Sequence, residues 1–124
     1  MKYMLDANSV IHLLTDAFPK LTNRVGNTPS GDIVVSSIAF AEVALGSENL
    51  KLPEIQILDD FISEVPALPF DEAAARAYAR LPFKRASFDR LIAAHAISLG
   101  LTVISRNVRD FQQVPDLAVE DWTV

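Results

Sequence analysis

The sequence has no cysteine, so it can form neither a disulfide framework nor a thiolate metal site, which fits a reducing compartment. It also lacks any apolar run near the ~20 residues that a membrane-spanning helix needs. The opening Met1-Lys2 is followed by only three apolar residues before Asp6, too few for a signal peptide. These absences lead to the expectation of a soluble cytoplasmic protein. No Gly-rich phosphate loop, no HExxH and no defensible Ser-His-Asp order occurs, and there is no internal repeat, low-complexity segment or linker.

What is present is a chain of 124 residues, half of them hydrophobic, which is enough for one domain over residues 1–124 with its own core. The net charge of −5 argues against a general polyanion binder, because nucleic-acid affinity rests on neutralising phosphates. Yet Arg76, Arg80, Lys84, Arg85, Arg90, Arg106 and Arg109 all fall in the C-terminal half. Their simplest reading is a solvated face.

The organising stretch is KYMLDANSVI at residues 2–11. Tyr3-Met4-Leu5 has the length and character of a buried strand, Asp6 stops it, and Asn8 is placed to cap a helix continued by Val10, Ile11 and Leu14. A weak amphipathic helix over 17–27 follows, then a turn cluster and a second buried strand, Ile33-Val34-Val35. Ser36 or Ser37 is expected to cap a helix, IAFAEVAL, that is apolar on every side except at Glu42 and therefore reads as buried all round, closed by Gly46 and Ser47. After an amphipathic helix over 54–65, the prolines of Pro66-Ala67-Leu68-Pro69-Phe70 restrict that segment to an edge strand. Asp71 caps a helix to Leu81, and Ser87 caps another that ends at Gly100. Leu101 to Ile104 reads as a strand, 108–113 as a helical turn, Leu117 to Glu120 as a last strand, and Trp122 as a cap on the core. On this last long helix, His95 lies on the apolar stripe, where a histidine is most often a core residue bonded to a backbone carbonyl.

Helices alternating with short strands apolar on both faces argue for an α/β fold, a parallel sheet sandwiched by helices. In such sheets ligands bind beyond the strands' carboxyl ends. Asp6 and Asn107 sit at such ends, while Glu42 and Asp89 lie on helices able to lean over the same edge. Glu42 in an apolar helix needs a partner or a function. If Asp6, Glu42 and Asp89 converge at about 5 Å, each pair repels by roughly 3 kcal/mol at an effective dielectric near 20. A hard divalent cation removes that cost. Oxygen ligands without thiolates or a histidine pair select Mg²⁺ or Mn²⁺, which suits phosphodiester hydrolysis.

Three stretches, LDANSVI, SSIAFAEVALG and FDRLIAAHAISLGLTVISRNVRDF with the following VPDLAVEDW, resemble the motifs of the PIN-domain family, and most closely those of its VapC toxins. The resemblance spans nearly the whole chain and is most specific over Phe88 to Trp122. It implies a three-layer α/β/α fold and a Mg²⁺- or Mn²⁺-dependent endoribonuclease acting on structured RNA such as tRNA or rRNA. It further implies a small VapB antitoxin as partner and a homodimer within the toxin–antitoxin complex. Asp6, Glu42 and Asp89 match the family's first three acids and become the expected metal ligands, and the fourth position falls near Asn107 or Asp110. Asn107 is expected to join the catalytic group, with Asn8 and Asp110 in supporting positions. Ala7 and Ala39 stand where Thr is common, Asn107 where many relatives carry Asp, and the segment from Arg80 to Asp89 is short for the family. Since RNA must approach carboxylates, Lys84, Arg85, Arg90, Arg106 and Arg109 are the expected RNA-binding residues.

Other classes fit less well. A receiver-like phospho-acceptor domain needs a second acid beside Asp6 and a late lysine, and a haloacid-dehalogenase-like phosphatase needs Asp where Asn8 stands. The remaining alternative is a PIN-fold module without catalysis that acts in transcriptional autoregulation with its antitoxin.

Overall fold

The computed structural model describes all 124 residues. Its strands are β1 (Tyr3–Leu5), β2 (Ile33–Ser36), β3 (Ala67–Leu68), β4 (Thr102–Ile104) and β5 (Val119–Glu120), all parallel, in the order β3-β2-β1-β4-β5. Seven helices connect them: α1 (Ala7–Leu14), α2 (Pro19–Gly26), α3 (Ser37–Glu48), α4 (Ile55–Glu64), α5 (Glu72–Ala79), α6 (Phe88–Leu99) and α7 (Val108–Gln112). The result is the expected parallel sheet sandwiched between helices, a three-layer α/β/α fold.

The central strands are apolar because both faces are covered. Met4, Leu5, Val34, Val35, Val103 and Ile104 are at most 1% exposed, which places them in one core cluster with Leu58, Ile92, Phe111 and Trp122. Tyr3 meets the Trp122 ring edge-on at 4.8 Å, so the last residues do cap the core. The alanines of α5, with Ala74 and Ala77 buried, permit its close packing on α6. Between Pro66 and Pro69 the edge strand is only two residues long. No helix is long and apolar enough to cross a membrane.

The strand order places the site. From β1 the chain moves to β2 and β3 on one side, then returns past β1 to β4 and β5 on the other. The direction of winding reverses between β1 and β4, and the crevice outside their carboxyl ends is where an open α/β sheet binds ligands.

Three local expectations need correction. The cap of α1 is Asp6, whose Oδ1 accepts the Ser9 N–H at 2.8 Å, while Asn8 lies exposed inside the helix. Asp6 has the extended backbone a cap needs and its carboxylate lies nearer the free N–H groups. Helix α3 runs through Gly46 and Ser47 to Glu48, and it is not buried all round: Ala41 is exposed and Leu45 is 67% exposed. Finally, His95 bonds the Ser36 side chain rather than a carbonyl.

Candidate active site

Asp6 is the fixed point of the site. It is only 4% exposed, its N–H donates to the Ile104 carbonyl at 3.2 Å, and its side chain caps α1. Ser9, in the first turn, donates its hydroxyl to the same Ile104 carbonyl at 2.9 Å. The start of α1 is thus fastened to the end of β4, and one Asp6 oxygen is committed to the helix. The dipole of α1 favours negative charge there.

Glu42 enters from α3. Its Oε1 is buried with no hydrogen-bond partner. Burial pushes its carboxyl above the ordinary range, and the charges of Asp89 and Asp6 push it further in the same direction. Asp89, in the first turn of α6, is also raised, first by burial and then by Asp6, with Asp110 adding to the effect. The charges of Asp89 and Asp6 thus reach Glu42, and the charge of Asp6 reaches Asp89. The Asn107 amide opposes the trend: Nδ2 donates to Asp89 Oδ2 at 3.2 Å and to Asp110 Oδ2 at 2.9 Å, a bridge that stabilises the ionised form of Asp89.

The side chains do not form a closed coordination shell, since no three acidic or imidazole groups are drawn tightly together. Asp6 and Asp89 each have a donor engaged. The donor set is nonetheless all oxygen, and the buried unpaired Glu42 Oε1 is the kind of atom a hard cation satisfies.

Two hollows flank the acids. One, of about 270 Å³, is lined by Lys84, Arg85, Ser87, Asp89, Arg90, Asp110, Phe111, Gln113 and Val114. In it Lys84 Nζ donates to Gln113 Oε1 at 2.9 Å, and Arg90 donates to the Pro82 carbonyl at 2.7 Å while its Nε stays buried and unpaired. The other, of about 430 Å³, lies between α1 and α3 and carries Asn8, Ile11, Glu42, Val43, Leu45 and Leu52 on its wall. Three of the five expected RNA-binding residues therefore line the cleft that holds Asp89. Arg106 instead lies over the Phe18 ring at 4.4 Å, and Arg109 is exposed on α7 outside both hollows.

Ser105, which no motif marks, also belongs to the site. It is 1% exposed, and its hydroxyl accepts the Asn107 N–H at 2.8 Å, which turns the chain at the end of β4 and aims Asn107 at the acids. The available signal was a serine two residues before Asn107, the spacing of a Ser turn. Ala7 and Ala39 are 7% and 0% exposed, so a threonine hydroxyl at either position would need both room and a partner.

The PIN domain pattern matches residues 3–117. The chain is 31% identical over 132 residues to the tRNA(fMet)-specific endonuclease VapC of Shigella flexneri, covering 99% of each chain. It is 34% identical to ribonuclease VapC2 of Haemophilus influenzae, with 98% of both chains covered. Among solved structures, DNA-bound VapBC of Salmonella typhimurium superposes with a TM-score of 0.83 at 30% identity over 98% of each chain. VapBC-1 of nontypeable Haemophilus influenzae gives 0.83 at 29% identity over the full length of both. Motif order, sheet topology, the acids at the crevice and these likenesses agree, and the chain belongs to the PIN-domain family, in its VapC-type branch.

Proposed function

We propose that this chain is a divalent-metal-dependent endoribonuclease toxin that cleaves structured RNA, tRNA or rRNA, and is held inactive by a VapB-like antitoxin. The observation that carries the reading is Glu42 Oε1, buried and unpartnered, in the electrostatic reach of Asp6 and Asp89 beside a cleft lined by Lys84, Arg85 and Arg90. The names of the relatives, tRNA(fMet)-specific endonuclease and ribonuclease, support the same chemistry.

Asp6, Glu42 and Asp89 would hold Mg²⁺ or Mn²⁺, which supplies an activated water and positive charge for the phosphate oxygens. The chain's own contribution is positioning and charge. Asn107 holds the Asp89 carboxylate through its amide, and Asp110 shares that amide as a supporting acid. Lys84, Arg85 and Arg90 draw the phosphate backbone to a site whose acids alone would repel it. One well-held metal is expected, since Mg²⁺ takes only one or two carboxylates directly and keeps several waters.

Solved neighbours are VapBC complexes, which supports an antitoxin partner. The hollow between α1 and α3 runs from Glu42 to exposed Leu45 and Leu52, and it suits a peptide whose apolar residues fill it and whose charged group reaches the acids. Two copies of the chain in that complex complete the expectation, tested by the mass of the purified assembly.

Two neighbours bound to promoter or other DNA favour a second reading, a role in transcriptional control with the antitoxin that needs no catalysis. The deciding experiment is incubation of the purified chain with total tRNA and rRNA in Mg²⁺. Endonucleolytic products from the parent that disappear in EDTA and in Asp6→Asn support the nuclease, and equal cleavage by parent and Asp6→Asn overturns it.

A further inference from the structure

Helices α3 and α6 each carry one acid of the site, and at the other end of their contact a buried polar pair joins them. Ser36, fully buried, ends β2 and caps α3 by accepting the Ile38 N–H at 3.1 Å. Its Oγ lies 2.9 Å from Nδ1 of His95, which is 2% exposed on α6. Since that hydroxyl already accepts from Ile38, its own proton is free to donate to Nδ1 of a neutral imidazole. The loop after β3 closes over the pair. Phe70 donates its N–H to Ser37 Oγ at 3.0 Å and sets its ring edge-on to His95 at 5.5 Å, and Asp71 is the charged group facing the imidazole.

The positions along the two helices are matched. Glu42 lies six residues after Ser36 on α3, and Asp89 lies six residues before His95 on α6. Six residues is roughly 9 Å of helix, so a fixed pair at one end of the contact limits which residues can face each other at the other. There the charge of Asp89 adds to burial in raising the Glu42 carboxyl. Halfway along each segment, Ala39 and Ile92 are both fully buried in the core cluster, which leaves no room for the helices to slide.

We propose that the Ser36–His95 hydrogen bond is a register pin, making both residues positioning residues that hold Glu42 opposite Asp89. This deepens the nuclease reading, because the spacing of those two carboxylates is what a cation would meet. A core histidine with a merely structural role would affect stability alone. A pin affects the distance between two side chains that neither pinned residue touches.

The chain's lack of cysteine makes that distance measurable without metal or RNA. In the full chain carrying Glu42→Cys and Asp89→Cys, a short bis-methanethiosulfonate reagent should bridge the two thiols. Adding His95→Phe, which fills the space but removes the bond, or Ser36→Ala, which removes it from the other side, should slow bridging several-fold. His95→Asn, whose amide presents a polar atom near the Nδ1 position, should restore it. In the chain with native acids, His95→Phe should weaken Mn²⁺ binding several-fold. Introduced into Glu42→Gln, the same change should leave the residual affinity unaltered. Bridging at the parental rate in folded His95→Phe or Ser36→Ala, or a failure of His95→Asn to rescue, overturns the pin. A parent that bridges normally but takes up no Mn²⁺ overturns the metal reading instead, and the cross-linking rates still decide the pin.

Discussion

Two glutamates show how differently this chain treats a carboxylate. Glu120, on β5, receives the Arg24 guanidinium at 3.3 Å and the Trp122 indole N–H at 3.0 Å on one oxygen, with Arg24 stacked over the Trp122 ring at 4.7 Å. Glu42, across the sheet on α3, has a buried oxygen with no donor and two neighbouring carboxylates that raise its pKa. The first is a satisfied structural group on a half-exposed edge, where such a pair contributes little, on the order of 0–1 kcal/mol. The second costs stability and persists, as carboxylates at functional sites do. Three cations line the cleft nearby, yet none is paired with Asp6, Glu42 or Asp89.

The largest difference between the two glutamates is expected in the chemistry. Asp6→Asn, Glu42→Gln and Asp89→Asn should each cut RNA cleavage by more than the ~10–100-fold that loss of an outer-shell partner costs. Glu120→Gln should leave it near the parental rate. A cleavage assay in Mg²⁺ on the four variants checks this.

A smaller effect is expected at the cations. Lys84→Glu with Arg85→Glu should weaken RNA binding and lower the magnitude of the salt slope by about 1 for each phosphate no longer neutralised. Arg109, outside the cleft, should matter less when reversed. Binding titrations at several salt concentrations separate the two.

The Asn107 amide bridges Asp89 and Asp110, so replacing Asn107 or Asp110 alters how firmly Asp89 is held. Asn107→Ala should weaken Mn²⁺ binding by about tenfold by freeing Asp89, and Asp110→Ala should weaken it less. Two tight sites in the parent, one of them lost in Asp110→Ala, would contradict a single held metal.

The smallest effect is on stability. Glu42 and Asp89 have pKa values raised in the folded chain, so folding there favours the protonated forms. Between the unfolded and folded pKa values the native state binds more protons, so that stability declines as pH rises through this window and is highest below it. Glu42→Gln should therefore raise the melting temperature of the metal-free chain at neutral pH and flatten its dependence on pH, whereas Glu120→Gln should lower it slightly. Thermal melts from pH 4 to 8 in EDTA test both signs.

Much of this was readable in the residues. The strands β1, β2 and β4, the caps Ser87 and Asp71, the αL stop at Gly100 (φ 68°) and the edge position of β3 follow from local chemistry, which the sequence carries directly. Asp6 at the end of β1 and Asp89 in the first turn of α6 were legible as acids beside the crevice, whereas Glu42, midway along α3, stood out only as the one charge in an otherwise apolar stretch. The misreadings share a different cause. Leu45 reads as core in an apolar helix but is two-thirds exposed, because burial depends on which neighbours the rest of the chain supplies. The bond between His95 and Ser36 crosses 59 residues and that between Lys84 and Gln113 crosses 29, and neither leaves a periodic trace.

Calorimetric Mn²⁺ titration of the parent and of Asp6→Asn, with Glu120→Gln as the control, decides whether Asp6 anchors a metal. One saturable site is expected in the parent, retained in Glu120→Gln and lost in folded Asp6→Asn. No Mn²⁺ uptake by the parent, or equal affinity in Asp6→Asn, would contradict it.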